Sequence, residues 1–259
     1  LLLQTEKASN VQRNSLPYAI DRKAEDLTLQ QITRAAIHFL NKQQKDGFFL
    51  MVEGGKIDWA CHSNDAATVF NEVIDMDKAV QVAYEFYEQH PDETLIVVTA
   101  DHETGGIVLG RGPYELHTDL LRYQRMSVEA YGAHVKELHA KLGDQLTWQV
   151  MQNDLKENWG FGAGVTLSEK QQQRLQKAFE GMVSGQAEGK QTLYAKVDAL
   201  ADTARLLLAE CALVGWQSGG HSNGFVPVFA VGAGAENFHG QIDNTEIPLT
   251  IAAAAQWSK

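Results

Sequence analysis

The sequence of 259 residues has few cysteines and no long apolar run. Cys61 and Cys211 are too few for a disulfide-stabilised scaffold or a cysteine-type zinc site, and nothing in the sequence supports a disulfide between them. No apolar stretch approaches the roughly 18 residues of a transmembrane helix, so no membrane span is predicted. The opening residues, LLLQTEKASN, lack the basic start and apolar stretch of a secretory signal, so no signal peptide is predicted in this chain.

Runs of lysine or arginine are also absent. The chain carries 33 acidic and 22 basic residues, with a formal net charge of −11, which disfavours a nucleic-acid-binding surface. An acidic enzyme can still act on phosphate where a bound metal supplies local positive charge. Hydrophobic residues make up 44% of the chain, enough for a sizeable core in one large domain or two small ones.

The first half of the chain alternates helical and strand patterns. Thr28 and Gln31 have the spacing of a capping box at the start of a helix. The continuous apolar segment 48–53 predicts a strand, 64–89 predicts a helix, and 94–100 predicts a second strand. Because both strands are apolar throughout, we predict a βαβ unit in a parallel sheet that is covered on both faces.

Residues from about 113 to 215 have a different, mainly helical character. Three helices are predicted there: over about 128–142, after a cap formed by Ser168 and Gln171, and over roughly 192–213. A strand in VPVFAVG and a helix in NTEIPLTIAAAAQW follow this segment. The sequence therefore predicts an α/β core that is interrupted by a helical insertion over 113–215.

The segment VTADHETGG, residues 98–106, places two metal-binding side chains directly after a predicted strand. Asp101 and His102 are adjacent, and neighbouring residues of an extended strand point to opposite faces. Both can reach one point only if the chain leaves strand geometry there. Gly105 and Gly106 follow them and make such a turn easy.

Other chemically capable residues also follow predicted strands. Glu53 ends the first strand, and Asp58 and His62 have the spacing of four that places two residues on one face of a helical turn. His221 lies in a glycine-rich, flexible loop before the third strand. Each of these alone is more often a surface charge, a local helix pair or a solvated histidine.

Taken together, the polar residues match the ligands of a metal site, because α/β proteins place their active sites beyond the carboxyl ends of their strands. Three carboxylates and three imidazoles suit zinc together with magnesium, and they exceed the needs of one four-coordinate zinc. A two-metal hydrolytic site is therefore predicted, with metals about 3.5–4 Å apart. Its candidate ligands are Glu53, Asp58, His62, Asp101, His102 and His221.

Three motifs of this sequence resemble those of a known enzyme family. FFLMVEGGKIDWACHSND, VTADHETGG and GGHSNG…VPVFAVGAGAENFHG are similar, in the same order, to the C-terminal half of alkaline phosphatases. The resemblance implies an α/β fold with part of an αβα sandwich core. Residues 1–259 would then be the C-terminal part of one such domain, with the helical insertion at 113–215 inside it.

The resemblance also implies a ligand for each metal. It assigns the first zinc to Asp58, His62 and His221, the second zinc to Asp101 and His102, and the magnesium to Glu53. The implied reaction is hydrolysis of small phosphomonoesters through a phosphoserine or phosphothreonine intermediate. The family further implies a periplasmic or secreted location and is compatible with a homodimer.

The family's nucleophile, its phosphate-binding arginine and an aspartate that bridges zinc and magnesium all precede the segment that matches FFLMVEGG. We therefore expect the nucleophile upstream of Leu1 and expect the isolated chain to be inactive. Thr203, in the nucleophile-like string ADTAR, is interpreted as a helix residue. Several family members have a histidine at the position of Thr104, which we expect to hydrogen-bond a zinc-ligating carboxylate instead.

Two other hypotheses remain open. One is a different metal-dependent enzyme of the same superfamily, such as a phosphodiesterase or a cofactor-independent phosphoglycerate mutase, although the order of the motifs fits these less well. Activity on an aryl phosphate rather than on a diester separates these from a phosphomonoesterase. The other hypothesis is a non-catalytic zinc-binding fragment whose helical insertion mediates association.

Overall fold

A computed structural model describes residues 16–43 and 46–257. The first α-helix is α1, Leu29–Gln43, and it begins directly after Thr28 of the predicted capping box. The Thr28 and Gln31 side chains each accept a hydrogen bond from the other residue's backbone N–H, at 3.1 and 2.9 Å. Two further helices follow, α2 over Gly55–His62 and α3 over Ala66–Gln89, so the helix predicted over 64–89 is confirmed.

Among the described residues, the strands are short and all pair in the antiparallel direction. The four pairs are β1 (Leu95–Val98) with β8 (Phe229–Gly232), β2 (Glu103–Thr104) with β7 (His221–Ser222), β3 (Val108–Leu109) with β6 (Val214–Gly215), and β4 (Lys190–Gln191) with β5 (Lys196–Val197).

The prediction of a parallel βαβ unit is therefore wrong. Segment 48–53 joins no ladder among the described residues, and it exposes Phe49 and Met51. β1, the second strand of the predicted unit, pairs with β8 in the antiparallel direction. An apolar run indicates that a segment favours burial, but it does not identify the partner of a strand or its direction.

The predicted insertion range contains four helices, α4 (Val128–Leu142), α5 (Trp148–Trp159), α6 (Glu169–Val183) and α7 (Ala199–Cys211). The predictions of α4 and α6 are confirmed, whereas α5 was missed. The helix predicted from about residue 192 begins later, because the Asp198 carboxylate accepts hydrogen bonds from the N–H groups of Leu200 and Ala201 and so caps α7. Thr203 lies in α7, as predicted.

Most of the hydrophobic core lies between residues 121 and 214, around the fully buried Tyr131 and Trp159. A smaller cluster joins Tyr18 to Ala60, Cys61 and Val69. Cys61 and Cys211 are free thiols. The boundaries of the insertion at 113 and 215 remain a prediction.

One buried carboxylate connects α3 to the start of α4. Asp65 accepts hydrogen bonds from Thr68 Oγ1 at 2.7 Å, Gln124 Nε2 at 2.8 Å and Val128 N at 2.8 Å. Because Asp65 is also the N-cap of α3, the helix that follows α2 is fixed to the larger core. The chain ends with α8, Glu246–Ala254, and no helix among the described residues is long and apolar enough to span a bilayer.

Candidate metal centre

The ladder between β2 and β7 brings together two of the sequence motifs. Thr104 pairs with His221, and Glu103 pairs with Ser222. His221 thus lies in a short strand, and its predicted placement in a flexible loop is wrong. The Glu103 carboxylate accepts hydrogen bonds from Ser222 Oγ and Gly106 N. The bond from Ser222, and then the bond from Gly106, lower the pKa of Glu103.

The turn predicted after His102 is present. Gly105 and Gly106 have φ angles of 84° and 58°, in the left-handed region that favours glycine. A Cβ atom on Gly105 would lie 2.8 Å from the Trp216 ring, so glycine is also required there for packing. The turn follows β2, and the pairing of β2 with β7 is what brings His102 beside His221.

Helix α2 positions Asp58 and His62 on one face, as their spacing predicts. Asp58 Oδ1 lies 3.3 Å from His62 Nε2. His62 Nδ1 lies 2.6 Å from the Gly219 carbonyl oxygen, which can only accept a hydrogen bond. Nδ1 therefore carries a proton, and Nε2 is the ring nitrogen that faces Asp58 and His221.

Three side-chain atoms, one each from Asp58, His62 and His221, form a small triangle. His62 Nε2 lies 3.1 Å from His221 Nε2, and Asp58 Oδ1 lies 3.3 Å and 3.5 Å from these two nitrogens. Atoms that ligate a tetrahedral zinc at about 2.1 Å are about 3.4 Å apart. The triangle therefore has the dimensions of one face of a zinc coordination tetrahedron.

A second pair of predicted ligands adjoins this triangle. Asp101 Oδ2 lies 3.3 Å from His102 Nε2, and the His102 ring stacks on His221 with centroids 3.6 Å apart. One ligand atom each from Asp58, His102 and His221 lies within 4.8 Å of the other two. Side-chain exposure rises across the centre, from 2% at His62 and 25% at Asp58 to 43% at His221 and 85% at Asp101.

Thr104 connects the two groups of residues. Its hydroxyl donates a hydrogen bond to Asp58 Oδ1 at 2.6 Å, as the sequence predicts, and lies 3.2 Å from His102 Nδ1. Since Asp58 is one corner of the triangle, Thr104 fixes the carboxylate from outside it.

Glu53 is separate from the other five residues. It is exposed, immediately precedes α2 and lies against Gly55, where an added Cβ atom would be 2.9 Å from Glu53 Oε1. No hydrogen bond or ion pair in the described part of the chain joins Glu53 to the other predicted ligands. The structure thus brings five of the six residues together.

An open cavity of about 700 Å³ lies beside Asp101 and His102. It is also lined by residues 222–225 and 241–244. The cavity gives solvent and small molecules access to the second, more exposed group.

Sequence reasoning missed Tyr194, which contacts the centre from the tip of the β4–β5 hairpin. Its ring stacks on Trp59 with centroids 4.8 Å apart and meets the His62 ring edge-on at 5.2 Å. Tyr194 was missed because residues 192–197 were predicted to be helical. Asp198 is the N-cap of α7, and its recognition would have placed these residues before the helix.

A sequence model described as alkaline phosphatase matches residues 11–257 of the chain. The chain belongs to the alkaline phosphatase family. It is 34% identical over 244 residues to alkaline phosphatase 3 of Bacillus subtilis and 30% identical over 232 residues to alkaline phosphatase 4 of the same organism. These alignments cover 94% and 89% of this chain but 47% and 44% of the relatives.

Solved alkaline phosphatases share the fold. The cold-active alkaline phosphatase of the psychrophile Shewanella sp. has a TM-score of 0.73 at 30% identity, over 93% of this chain and 53% of that one. The Thermus thermophilus alkaline phosphatase has a TM-score of 0.67 at 26% identity, over 94% and 51%. The chain therefore has part of the α/β alkaline-phosphatase fold, as predicted, and spans about half the length of these relatives.

Proposed function

We propose that this chain provides the metal ligands of an alkaline phosphatase, a metal-dependent hydrolase of small phosphomonoesters. Membership in the family supports the class of reaction. The observation that carries the proposal is the triangle of Asp58 Oδ1, His62 Nε2 and His221 Nε2, with edges of 3.1, 3.3 and 3.5 Å. We assign the first zinc to these three residues.

The second zinc is assigned to Asp101 and His102, and the magnesium to Glu53. The stacking of His102 on His221 supports two neighbouring metals. The proposal gives the first metal three ligands from this chain, the second metal two and the magnesium one. Because affinity falls as protein ligands are replaced by water, we expect one tight zinc site, one weak zinc site and little affinity for magnesium.

When bound, the metals supply Lewis-acid stabilisation of a nucleophile and of the leaving-group oxygen. The residues of this chain orient the ligands: the Gly219 carbonyl fixes the tautomer of His62, and Thr104 holds Asp58. The proposal places the serine or threonine nucleophile and the phosphate-binding arginine outside these 259 residues. A periplasmic or secreted location and a homodimer belong to the same proposal.

Zinc titration by calorimetry tests the assignment. We expect the chain to bind one zinc tightly and a second weakly, and His221→Ala to lose the tight site. His239→Ala is the matched control, since the exposed His239 ring is held by the Glu236 carbonyl oxygen at 2.8 Å. Two equally tight sites, or a tight site that survives in His221→Ala and is lost in His239→Ala, would contradict the proposal.

A further inference from the structure

The β4–β5 hairpin extends from the larger core to the metal centre. At its base, Val197 is 1% exposed within that core. At its tip, the backbone N–H of Thr192 donates to the carbonyl oxygen of Ala195 at 2.7 Å, and Thr192 Oγ1 closes the same turn. Leu193 and Tyr194 occupy the tip, so their positions are fixed at both ends of the hairpin.

The two tip residues have different surroundings. Leu193 is 62% exposed, which is typical of an unconstrained hairpin tip. The Tyr194 ring instead lies nearly parallel to Trp59, with 21° between the planes, and its edge faces His62 at 73°. Trp59 immediately follows Asp58 in α2, so Tyr194 contacts the part of the helix that carries both predicted ligands.

Desolvation, and then the negative charge of Asp58, raise the pKa of Tyr194, in keeping with a place for this side chain beside the Asp58 carboxylate. The ring contacts with Trp59 and His62 define that place.

We propose that Tyr194 is a positioning residue of the metal centre, whose ring packs against His62 and Trp59 and so orients the part of α2 that carries Asp58 and His62. This inference rests on the proposed function, because it concerns the same zinc ligands. It gives the helical segment a direct part in metal binding: the hairpin orients two of the three ligands of the first zinc. Groups that orient ligands from outside typically change metal affinity by about 10- to 100-fold when they are removed.

Three variants separate the parts of this inference. Tyr194→Phe keeps the ring and removes the hydroxyl, Tyr194→Leu removes both, and Leu193→Ala is the matched control on the same hairpin tip. The dissociation constant of the tight zinc site is measured by competition with a chromophoric chelator. Circular dichroism records whether each variant is folded, and absorption of the Co²⁺-substituted chain reports the ligand geometry.

We expect Tyr194→Leu, which removes the ring, to weaken zinc binding by about tenfold and to shift the Co²⁺ spectrum. Tyr194→Phe keeps the ring and should match the unmodified chain in both measurements, as should Leu193→Ala. Unchanged affinity and spectrum in Tyr194→Leu, or an equal loss in Leu193→Ala, would overturn the role of Tyr194. Tight zinc binding by the unmodified chain that is lost in His221→Ala supports the proposed function independently, whereas no zinc binding by the unmodified chain overturns both.

Discussion

The tautomer of His62 determines whether this side chain can bind a cation. A ring whose Nδ1–H donates to Gly219 has only Nε2 left for a metal, and that atom faces Asp58 and His221. The same arrangement, a histidine held by a carbonyl group on its far nitrogen, is common among metal ligands because it fixes the ring. A packing role alone would not require Nε2 to face two other candidate ligands.

Substitution of Thr104 tests whether its hydrogen bond to Asp58 contributes to zinc affinity. Thr104→Val keeps the shape of the side chain but removes the 2.6 Å hydrogen bond to Asp58 Oδ1, so the carboxylate loses its orientation. We expect about tenfold weaker zinc binding, measured by chelator competition.

Thr104→Ser is the control for that substitution, because it retains a hydroxyl and should bind zinc nearly as the unmodified chain does. Equal affinities in the valine and serine variants would show that the hydrogen bond does not support metal binding.

The individual ligands were easier to predict than their arrangement. Asp58 and His62 were predicted on one helix face because a helix repeats every 3.6 residues, and α2 confirms that face. The approach of His221 to them depends on the β2–β7 ladder, a pairing of residues more than one hundred positions apart. Local patterns carry no signal for such a pairing, so the structure was needed to show it.

Helices and strands differed in how far the sequence determined them. Ser168 and Gln171 form the capping box of α6, since a cap involves only residues within one turn. Segment 48–53 was predicted as a strand from its apolar residues, but a strand also needs a partner, and none of the described residues provides one. Tyr194 was predicted within a helix because the N-cap at Asp198 was not recognised.

Asp65 holds α3 and α4 together, and its removal tests that connection. Asp65→Ala removes the N-cap of α3 and leaves the Val128 N–H without its acceptor in the buried interior, while the Gln124 amide keeps only its bond to the Met126 carbonyl. We expect the free energy of unfolding to fall by about 3 kcal/mol, from a lost cap plus unsatisfied buried donors. Urea unfolding followed by circular dichroism measures this change.

Ser168→Ala is the control for Asp65→Ala, because Ser168 caps α6 at an exposed position. Its expected cost is only about 1 kcal/mol. A loss in Asp65→Ala no larger than in Ser168→Ala would mean that the buried network contributes little beyond an ordinary cap.

The described part of the chain combines a group of candidate ligands, of which His62 is buried, with exposed apolar side chains. It spans about half the length of the relatives that it matches, 47% of one and 44% of another. Large apolar side chains are exposed on segment 48–53, on β8 and on α8, where Met51, Phe229 and Leu249 are 77%, 64% and 67% exposed. We propose that the candidate ligands of this chain hold metal and that polypeptide outside these 259 residues positions the nucleophile. Such positioning is worth up to about 7–11 kcal/mol.

The central claim is that Asp58, His62 and His221 bind one zinc ion. A crystal structure of the zinc-loaded chain, with anomalous diffraction data collected on both sides of the zinc absorption edge, tests it most directly. We expect the strongest zinc peak to lie about 2.0–2.2 Å from Asp58 Oδ1, His62 Nε2 and His221 Nε2. A strongest zinc peak elsewhere, with these three side chains not coordinating it, would contradict the account.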